Sequence, residues 1–531
     1  MQALPLIIVA GEDDLAQRVC DELTLTRGHE VVRVWPADDA ALESAGIHNA
    51  VCVMPVSNDD RLNLRIALRA RELNPKIRVV LRQFNRALGH KIEQNLENCS
   101  VISPAAHAAA TFAGAAVDPA CLYALQFPEV DGGLLGFSER SARDFGLRGT
   151  RVDEAERRLS VRIVSVNDAI APERSTTIKP DDRVVAFGAM HAMQHAWPRR
   201  QRVRPKLRRR REWIADMLRA AARYEPLLIY TFAFAFSLFI AGTLYFMLQL
   251  HLSFVEAMYF TASTMFTVGY GDITPLRNHG GPIALIVAII VMAAGITIGG
   301  IFVASIASAL SRAQEAALQG LRRVRAENHV IVCGAGNVGT RVIDFLLGME
   351  ERIVVIEQRP SSLVLELART RQLDLLTGDA TSDDTLGFCD LRAAQSFVAL
   401  TDSDTANLEA SLGALAQNAQ LPVVVRIGDP EFSRLVATNF NIAKSFSATE
   451  LTAPTIAGLA RFPGTRGRVS FAGETFDVGV RAASDELPRA SGAIPLYAWR
   501  EGKPQPIHDF GDMERDDRVL YLIPLSQFKA E

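Results

Sequence analysis

The sequence predicts a composite chain: a membrane-embedded α-helical segment, with two spans and a re-entrant loop, set between two α/β units of the doubly wound Rossmann-like type, the first of them truncated. Three observations carry this. Two uncharged runs, 227–250 and 282–310, are each long enough to cross a bilayer, since twenty-four residues at 1.5 Å rise reach about 36 Å. Between them stands Thr267-Val268-Gly269-Tyr270-Gly271-Asp272, preceded by a segment, 253–266, too short to span. On both sides of the spans, short apolar runs of strand type alternate with helical stretches, as a parallel sheet with crossover helices requires.

A length of 531 residues allows three or four domains. The net charge of −3 conceals a basic block at 198–223 that includes Arg199, Arg200, Arg202, Arg204, Lys206 and Arg208 to Arg211. Past Pro205, the residues Trp213, Ile214, Met217, Leu218 and Ala221 fall on one helical face. The stretch 198–225 therefore reads as an amphipathic linker on the cytoplasmic membrane surface, each basic residue gaining about 1 kcal/mol near anionic lipid. Because the block abuts a span, nucleic acid is not expected as a partner. Basic residues also follow the second span (Arg312, Arg322, Arg323, Arg325), with Arg277 alone between the spans, which places both termini in the cytoplasm. The six cysteines form no CxxC pair and read as buried thiols in a reducing compartment. The apolar run Leu4 to Ala10 reads as a first strand, not as a signal peptide.

Along the first unit, Leu6 to Ala10, Val31 to Val34, Ala50 to Met54 and Ile77 to Leu81 are short buried runs, with a helical pattern from Asp14 to Thr26. From 140 to 190 the texture changes to short strands and turns, which marks a separate small lobe. Beyond the second span, 312–327 reads as a helical tether reaching about 24 Å. A second α/β unit then opens with His329-Val330-Ile331-Val332-Cys333-Gly334-Ala335-Gly336-Asn337-Val338-Gly339, and Ile353-Val354-Val355-Ile356-Glu357 ends about twenty residues later.

The segment 253–266 reads as a pore helix, because irregular backbone at membrane depth is tolerated only where protein encloses it. Glycines at 269 and 271 let the backbone after it turn successive carbonyl oxygens toward an axis. The stretch 267–272 resembles the potassium-channel signature sequence. The resemblance implies a homotetramer in the cell (inner) membrane, with K⁺ stripped of water at the carbonyls of Thr267, Val268, Gly269 and Tyr270 and at the Thr267 hydroxyl. It also implies that Asp272 holds the outer mouth, hydrogen-bonded to Tyr259. Gly295 is the candidate hinge of the second span, with Gly299 and Gly300 as rivals and close helix packing as the alternative reading. Phe266 departs from the small residue or Thr usual before the filter threonine.

The two α/β units repeat each other. Ile7 to Ala16 aligns with Val330 to Gly339, Val56 to Leu64 with Leu400 to Leu408, and Val79-Val80-Leu81-Arg82 with Val423-Val424-Val425-Arg426. Both resemble RCK domains (regulators of K⁺ conductance, the TrkA-N fold), and the lobe at 140–190 is similar to their TrkA-C lobe. After 465 the resemblance rests on Asp516-Asp517-Arg518-Val519 alone. The expected division is a degenerate RCK N-lobe (1–115), a TrkA-C-like lobe (116–197), the linker (198–225), the pore domain (226–311), the tether (312–327), a nucleotide-binding RCK N-lobe (328–450) and a C-terminal TrkA-C-like lobe (451–531). A tetramer would carry eight such units, the number an octameric ring requires.

The second copy keeps a phosphate-binding pattern. Gly334 permits a tight turn, Gly336 lets backbone approach a pyrophosphate, and Gly339 allows close helix packing, with Asn337 and Val338 opening the helix. Phosphate would sit at that helix N-terminus. Glu357 is placed for ribose hydroxyls, which favours NAD or a simple adenine nucleotide over NADP, and Asp379, Ala380 and Thr381 match the next loop of the family. In the first copy Asp13 and Ala16 replace the second and third glycines, Trp35 replaces the acid, and Glu12, Asp13 and Asp14 would repel phosphate. The interval from Trp35 to Ala50 is too short for a further helix–strand–helix step, so this sheet should lack one strand.

These readings point to a non-enzyme, a K⁺ channel gated by NAD or another adenine nucleotide at the second copy. Ca²⁺ or another divalent cation is the alternative ligand, with nucleotide then only structural. An NAD-dependent membrane-anchored oxidoreductase lacks a credible His–acid or Tyr–Lys pair, and fold alone would not license it. A regulatory subunit of a K⁺ transporter would lack its own pore.

Overall fold

The computed structural model describes residues 4–26, 28–127, 130, 133–147, 149–196, 226–278, 280–318, 324, 326–371, 373–485, 492–500 and 503–528. The basic linker 198–225 lies outside them. The chain forms two compact units, Met1–Arg200 with Gly320–Glu531 and Gln201–Gln319.

The first copy runs β1 (Leu6–Ala10), α1 (Asp14–Leu25), β2 (Glu30–Val34), α2 (Asp39–Ser44), β3 (Cys52–Pro55), α3 (Asp60–Leu73), β4 (Arg78–Arg82), α4 (Arg86–Asn95), β5 (Cys99–Ile102) and α5 (Pro104–Val117). A small lobe follows with β6 (Cys121–Gln126), β7 (Leu134–Ser141), α6 (Val152–Leu159), β8 (Arg162–Val166), β9 (Ala169–Ile170), β10 (Arg183–Ala189) and α7 (Met190–Ala196). In the other unit lie α8 (Pro226–Gln249), α9 (Phe254–Met265) and α10 (Pro282–Leu318).

The second copy runs β11 (His329–Cys333), α11 (Asn337–Gly348), β12 (Arg352–Glu357), α12 (Ser362–Thr370), β13 (Asp374–Thr377), α13 (Asp383–Gly387), β14 (Ser396–Ala399), α14 (Asp404–Gln417), β15 (Val423–Arg426), α15 (Pro430–Asn439), β16 (Lys444–Phe446) and α16 (Ala448–Arg461). The last lobe holds β17 (Thr465–Phe471), β18 (Glu474–Ala482), β19 (Ile494–Arg500), β20 (Lys503–Pro506) and β21 (Arg518–Pro524).

The second copy's parallel sheet has the order β13-β12-β11-β14-β15-β16, the doubly wound arrangement with its switch point beside β11. The first copy's sheet is β2-β1-β3-β4-β5, the same order without an equivalent of β13. The expected missing strand is thus an edge strand, and α2 with one short 3₁₀ turn fills the shortened interval. The repeat extends to single side chains. Asn63 accepts from the Ser57 amide at 2.9 Å and donates to the Ser57 and Arg82 carbonyls. Asn407 accepts from the Thr401 amide at 2.8 Å and donates to the Thr401 and Arg426 carbonyls. Each closes the same turn between neighbouring strands with a buried side chain, where an unmet amide would be costly.

After 465 the sequence carried little resemblance, yet the last lobe repeats the first lobe strand for strand. The antiparallel orders are β6-β7-β10-β8-β9 and β17-β18-β21-β19-β20. Their apolar faces share one core containing Phe137, Phe187, Phe471, Phe476 and Tyr497. The rings of Phe137 and Phe187 lie 4.4 Å apart, and Phe187 meets Tyr497 edge-on at 5.4 Å.

The two copies exchange helices. α5 is Ala-rich and apolar nearly all round, which suits a helix enclosed on every side. It packs in one core with Val338, Val342 and Leu346 of α11, and Ser396 on β14 donates to its Ala116 carbonyl at 2.6 Å. Reciprocally, Ala453, Ile456, Ala457 and Leu459 of α16 join Leu15, Val19 and Leu23 of α1, and Arg78 donates to the Leu459 carbonyl at 2.7 Å. A buried ion cluster adds to this seam: Asp477 pairs with Arg461 at 3.0 Å and with Arg468 at 2.7 Å, and Arg468 also pairs with Glu22 of α1.

In the other unit, Tyr230–Gln249 and Pro282–Ser305 are long and apolar enough to cross a membrane. α10 continues from the span to Leu318, because no proline or glycine interrupts Ala307 to Leu318, so the first part of the stretch expected as a helical tether is helical; residues 319–323 lie outside the described residues. Val324 and Ala326 are buried in the core of the second copy, and the Val324 amide donates to the Phe388 carbonyl at 2.9 Å.

Candidate functional site

The pore loop is built from the N-terminus of α9 onward. Ser253 and Glu256 form a reciprocal cap, the Ser253 amide donating to the Glu256 carboxylate at 2.9 Å and the Glu256 amide to the Ser253 hydroxyl at 3.3 Å. At the other end the last carbonyls of α9 are used by the filter itself. The Thr267 amide donates to Thr264 at 3.1 Å, and the Val268 and Gly269 amides donate to Ser263 at 2.8 and 3.2 Å. Three successive N–H groups are therefore turned back on the helix. Thr267, Gly269 and Gly271 have φ of +60°, +55° and +75°, while Val268 and Tyr270 do not share the positive sign. Alternating hands in this way swing successive carbonyls to one side of the strand. For β-branched Thr267 the left-handed angle is a strained one, held by its surroundings.

Behind the filter, the Tyr259 ring lies parallel to that of Tyr270 at 6.2 Å. Gly295 meets α9's end: a Cβ there would stand 2.1 Å from the Met265 carbonyl oxygen. Its contact is the close-packing one, whereas a Cβ at Gly299 or Gly300 would meet nothing within 4 Å.

The loop after β11 has the shape its glycines suggest. Gly334 has φ +87°, and a Cβ on it would lie 2.8 Å from the Thr401 amide nitrogen. At Gly339 a Cβ would fall 2.0 Å from the Gly334 carbonyl oxygen, so α11 could not approach β11 with any side chain there. Gly336 faces open space, with nothing within 4 Å of its would-be Cβ, and it leaves α11 without a side-chain cap. The first amides of α11, from Asn337, Val338 and Gly339, thus open onto a cradle that fits an anionic phosphate. Glu357 sits at the end of β12 and accepts from the Ala335 amide at 2.7 Å and the Arg359 amide at 3.0 Å. It therefore positions the loop as well as offering its remaining lone pairs to a ribose. Asp379 closes its own turn, accepting from the Thr381 amide at 2.9 Å and hydroxyl at 2.8 Å, and these bonds hold its carboxyl below the usual range. Ala380 is buried beside it.

The first copy's loop is filled by its own side chains. Asp13 caps α1 by accepting from the Ala16 amide at 3.1 Å, and its other oxygen pairs with Arg82 at 2.5 Å. Arg33 donates to the Gly11 and Glu12 carbonyls at 3.0 and 2.8 Å. Asp14 pairs with Arg18 at 2.9 Å. Asp13 and Asp14 are thus paired with arginines and Arg33 holds the loop's carbonyls, contacts the sequence did not signal because Arg33 and Arg82 arrive from distant strands. Among the described residues, no cluster of three or more His, Cys, Asp or Glu is arranged to hold a metal ion.

Fold and sites together define a membrane pore unit flanked by two dinucleotide-fold units. The TrkA-N domain family matches residues 7–104 and 330–445, and the ion channel family matches 233–312. The chain thus carries two TrkA-N domains around an ion-channel domain and is similar over that arrangement to prokaryotic potassium channels. Potassium channel protein 1 of Methanocaldococcus jannaschii is 28% identical over 182 residues, 33% of this chain and 54% of that protein. The voltage-gated potassium channel Kch of Escherichia coli is 26% identical over 181 residues, 33% of this chain and 42% of that protein. This chain spans about half the length of these curated relatives. Among solved structures, the GsuK Channel aligns with 99% of this chain and 78% of its own at 12% identity, with a TM-score of 0.49.

Proposed function

We infer that this protein is a potassium-selective channel, a homotetramer of the cell membrane with both termini cytoplasmic, gated by an adenine nucleotide or NAD at the second RCK copy. The observation that carries the pore reading is the alternating backbone of 267–271, with its first amides bound back to α9. Four such strands around an axis would offer rings of carbonyls to a dehydrated K⁺ ion. Asp272, bonded by the Tyr259 hydroxyl, would hold the outer end, and the carbonyl end of α9 would add a favourable dipole for a cation.

For gating, phosphate would rest on the amides of Asn337 to Gly339 and the ribose on Glu357. α11, which opens at that loop, packs on α5 of the first copy, so a shift at the loop is felt by both copies. The change would reach the pore through the covalent connection at 312–327. A ligand can do this only by binding one state of the cytoplasmic unit more tightly than the other. The basic stretch 198–225 would lie against anionic lipid.

Reconstituting the purified chain in liposomes and recording K⁺ flux with NAD, ADP, ATP or Ca²⁺ tests this. A flux altered by a nucleotide and abolished as a response by Gly336→Asp is the expected result. A flux that responds to Ca²⁺ alone, or a nucleotide response untouched by Gly336→Asp, would overturn the gating assignment.

A further inference from the structure

The two copies differ at one position in a way that reveals the role of a residue outside the glycine loop. Where the second copy has Gly336, the first has Asp13, and the Asp13 carboxylate does what a phosphate would do at the second loop. One oxygen takes an amide at the start of the following helix, and the other takes a guanidinium, that of Arg82. Arg82 ends β4, reaches across the turn after β3 and donates to the Val56 carbonyl at 2.9 Å and to Asn58 at 2.8 Å on its way.

Its counterpart at the end of β15 is Arg426. The backbone of each arginine is held alike, Asn63 donating to the Arg82 carbonyl at 3.1 Å and Asn407 to the Arg426 carbonyl at 2.9 Å. Arg426 leans over the same turn, donating to the Thr401 carbonyl at 3.3 Å. Among the described residues it has no carboxylate partner, because glycine stands where the acid would be. Arg426 is half-buried, and a guanidinium there is matched in charge and reach to an anion seated on α11.

We propose that Arg426 is the phosphate-binding arginine of the second copy, donating to a phosphate oxygen of the nucleotide held by the Gly334–Gly339 loop, as Arg82 donates to Asp13. The class of ligand is thereby narrowed to phosphate-bearing nucleotides, and the first copy is a site closed by a built-in anion. This rests on the nucleotide reading of the second loop.

The test is binding of ADP and of adenosine to the purified full chain in detergent, measured by displacement of a fluorescent adenine nucleotide, for wild type, Arg426→Gln and Arg426→Lys. The wild type should bind ADP far more tightly than adenosine. Arg426→Gln should reduce that preference about tenfold or more while adenosine affinity stays within about twofold, and Arg426→Lys should fall between them. An unchanged preference in Arg426→Gln, or an equal loss for both ligands, overturns the proposal. Should the Gln variant not fold, Arg426→Lys decides it, and an unchanged preference there also overturns it. A wild type that binds neither ligand defeats the nucleotide reading itself, and the role of Arg426 with it.

Discussion

Gly295 passes so close to Met265 that a Cβ on the glycine would stand 2.1 Å from the methionine's carbonyl oxygen. Met265 ends the helix whose last carbonyls hold the filter amides, so this contact sets how α10 supports the filter. Gly295→Ala must push the two helices apart, at a cost of about 1–3 kcal/mol or more. We expect loss of K⁺ flux and of the tetramer on size-exclusion chromatography, whereas Gly299→Ala, which meets nothing within 4 Å, should retain both.

The bond expected from the Tyr259 hydroxyl to Asp272 is tested by Tyr259→Phe, which keeps the ring beside Tyr270 and would remove only that bond to a carboxylate, worth about 1.5–3 kcal/mol. The K⁺ over Na⁺ preference of liposome flux should fall, with assembly intact. An unchanged preference would mean that Asp272 holds the mouth by other means.

His107, on α5, is set between Tyr123 and Thr455, with its Nε2 2.6 Å and 3.0 Å from their hydroxyls. Its Nε2 is thus bonded to hydroxyls of both copies where α5 and α16 cross. Burial lowers its pKa from 6.5 to about 4. The unfolded chain then binds a proton that the folded chain refuses, so this contribution is present above pH 6.5 and is lost as pH falls toward 4. The loss is on the order of 1–3 kcal/mol. Urea midpoints from pH 7 to 4.5 should fall for wild type, and His107→Gln should flatten that fall.

Asp477 neutralises two buried arginines at once, Arg461 and Arg468. Asp477→Asn should destabilise the α/β unit by about 3–5 kcal/mol in urea unfolding, since it leaves buried charge uncompensated. Glu22→Gln should cost less, because Arg468 keeps its bond to Asp477 and Glu22 is partly exposed.

What could be read from the residues was local. The filter stretch and the Gly334–Gly339 loop carry their geometry in a few neighbouring positions, and both take the expected form. So does the missing strand, because a short interval limits what can fold within it. Long-range matters were not legible. α5 reads as an ordinary apolar helix, and nothing in Pro104–Val117 says that it is buried against the other copy. Nothing in the run 12–14 says that Asp13 meets Arg82 of β4 or that Arg33 of β2 holds the loop's carbonyls. The last lobe shares strand order with the first through alternating burial of different residues, so its likeness shows in topology and not in motif. From its own residue Gly295 admits hinge and packing alike, and only the Met265 carbonyl beside it, brought from another helix, favours packing.

The central claim is that 267–272 passes K⁺ selectively. Concentrative uptake of a K⁺ tracer against that of Na⁺, in liposomes holding the purified chain, tests it most directly. The account predicts K⁺ uptake that collapses in Gly269→Ala, where φ is +55° and a side chain is strained, with little Na⁺ uptake in wild type. Equal uptake of both ions by the wild type, or K⁺ uptake unaffected by Gly269→Ala, would contradict it.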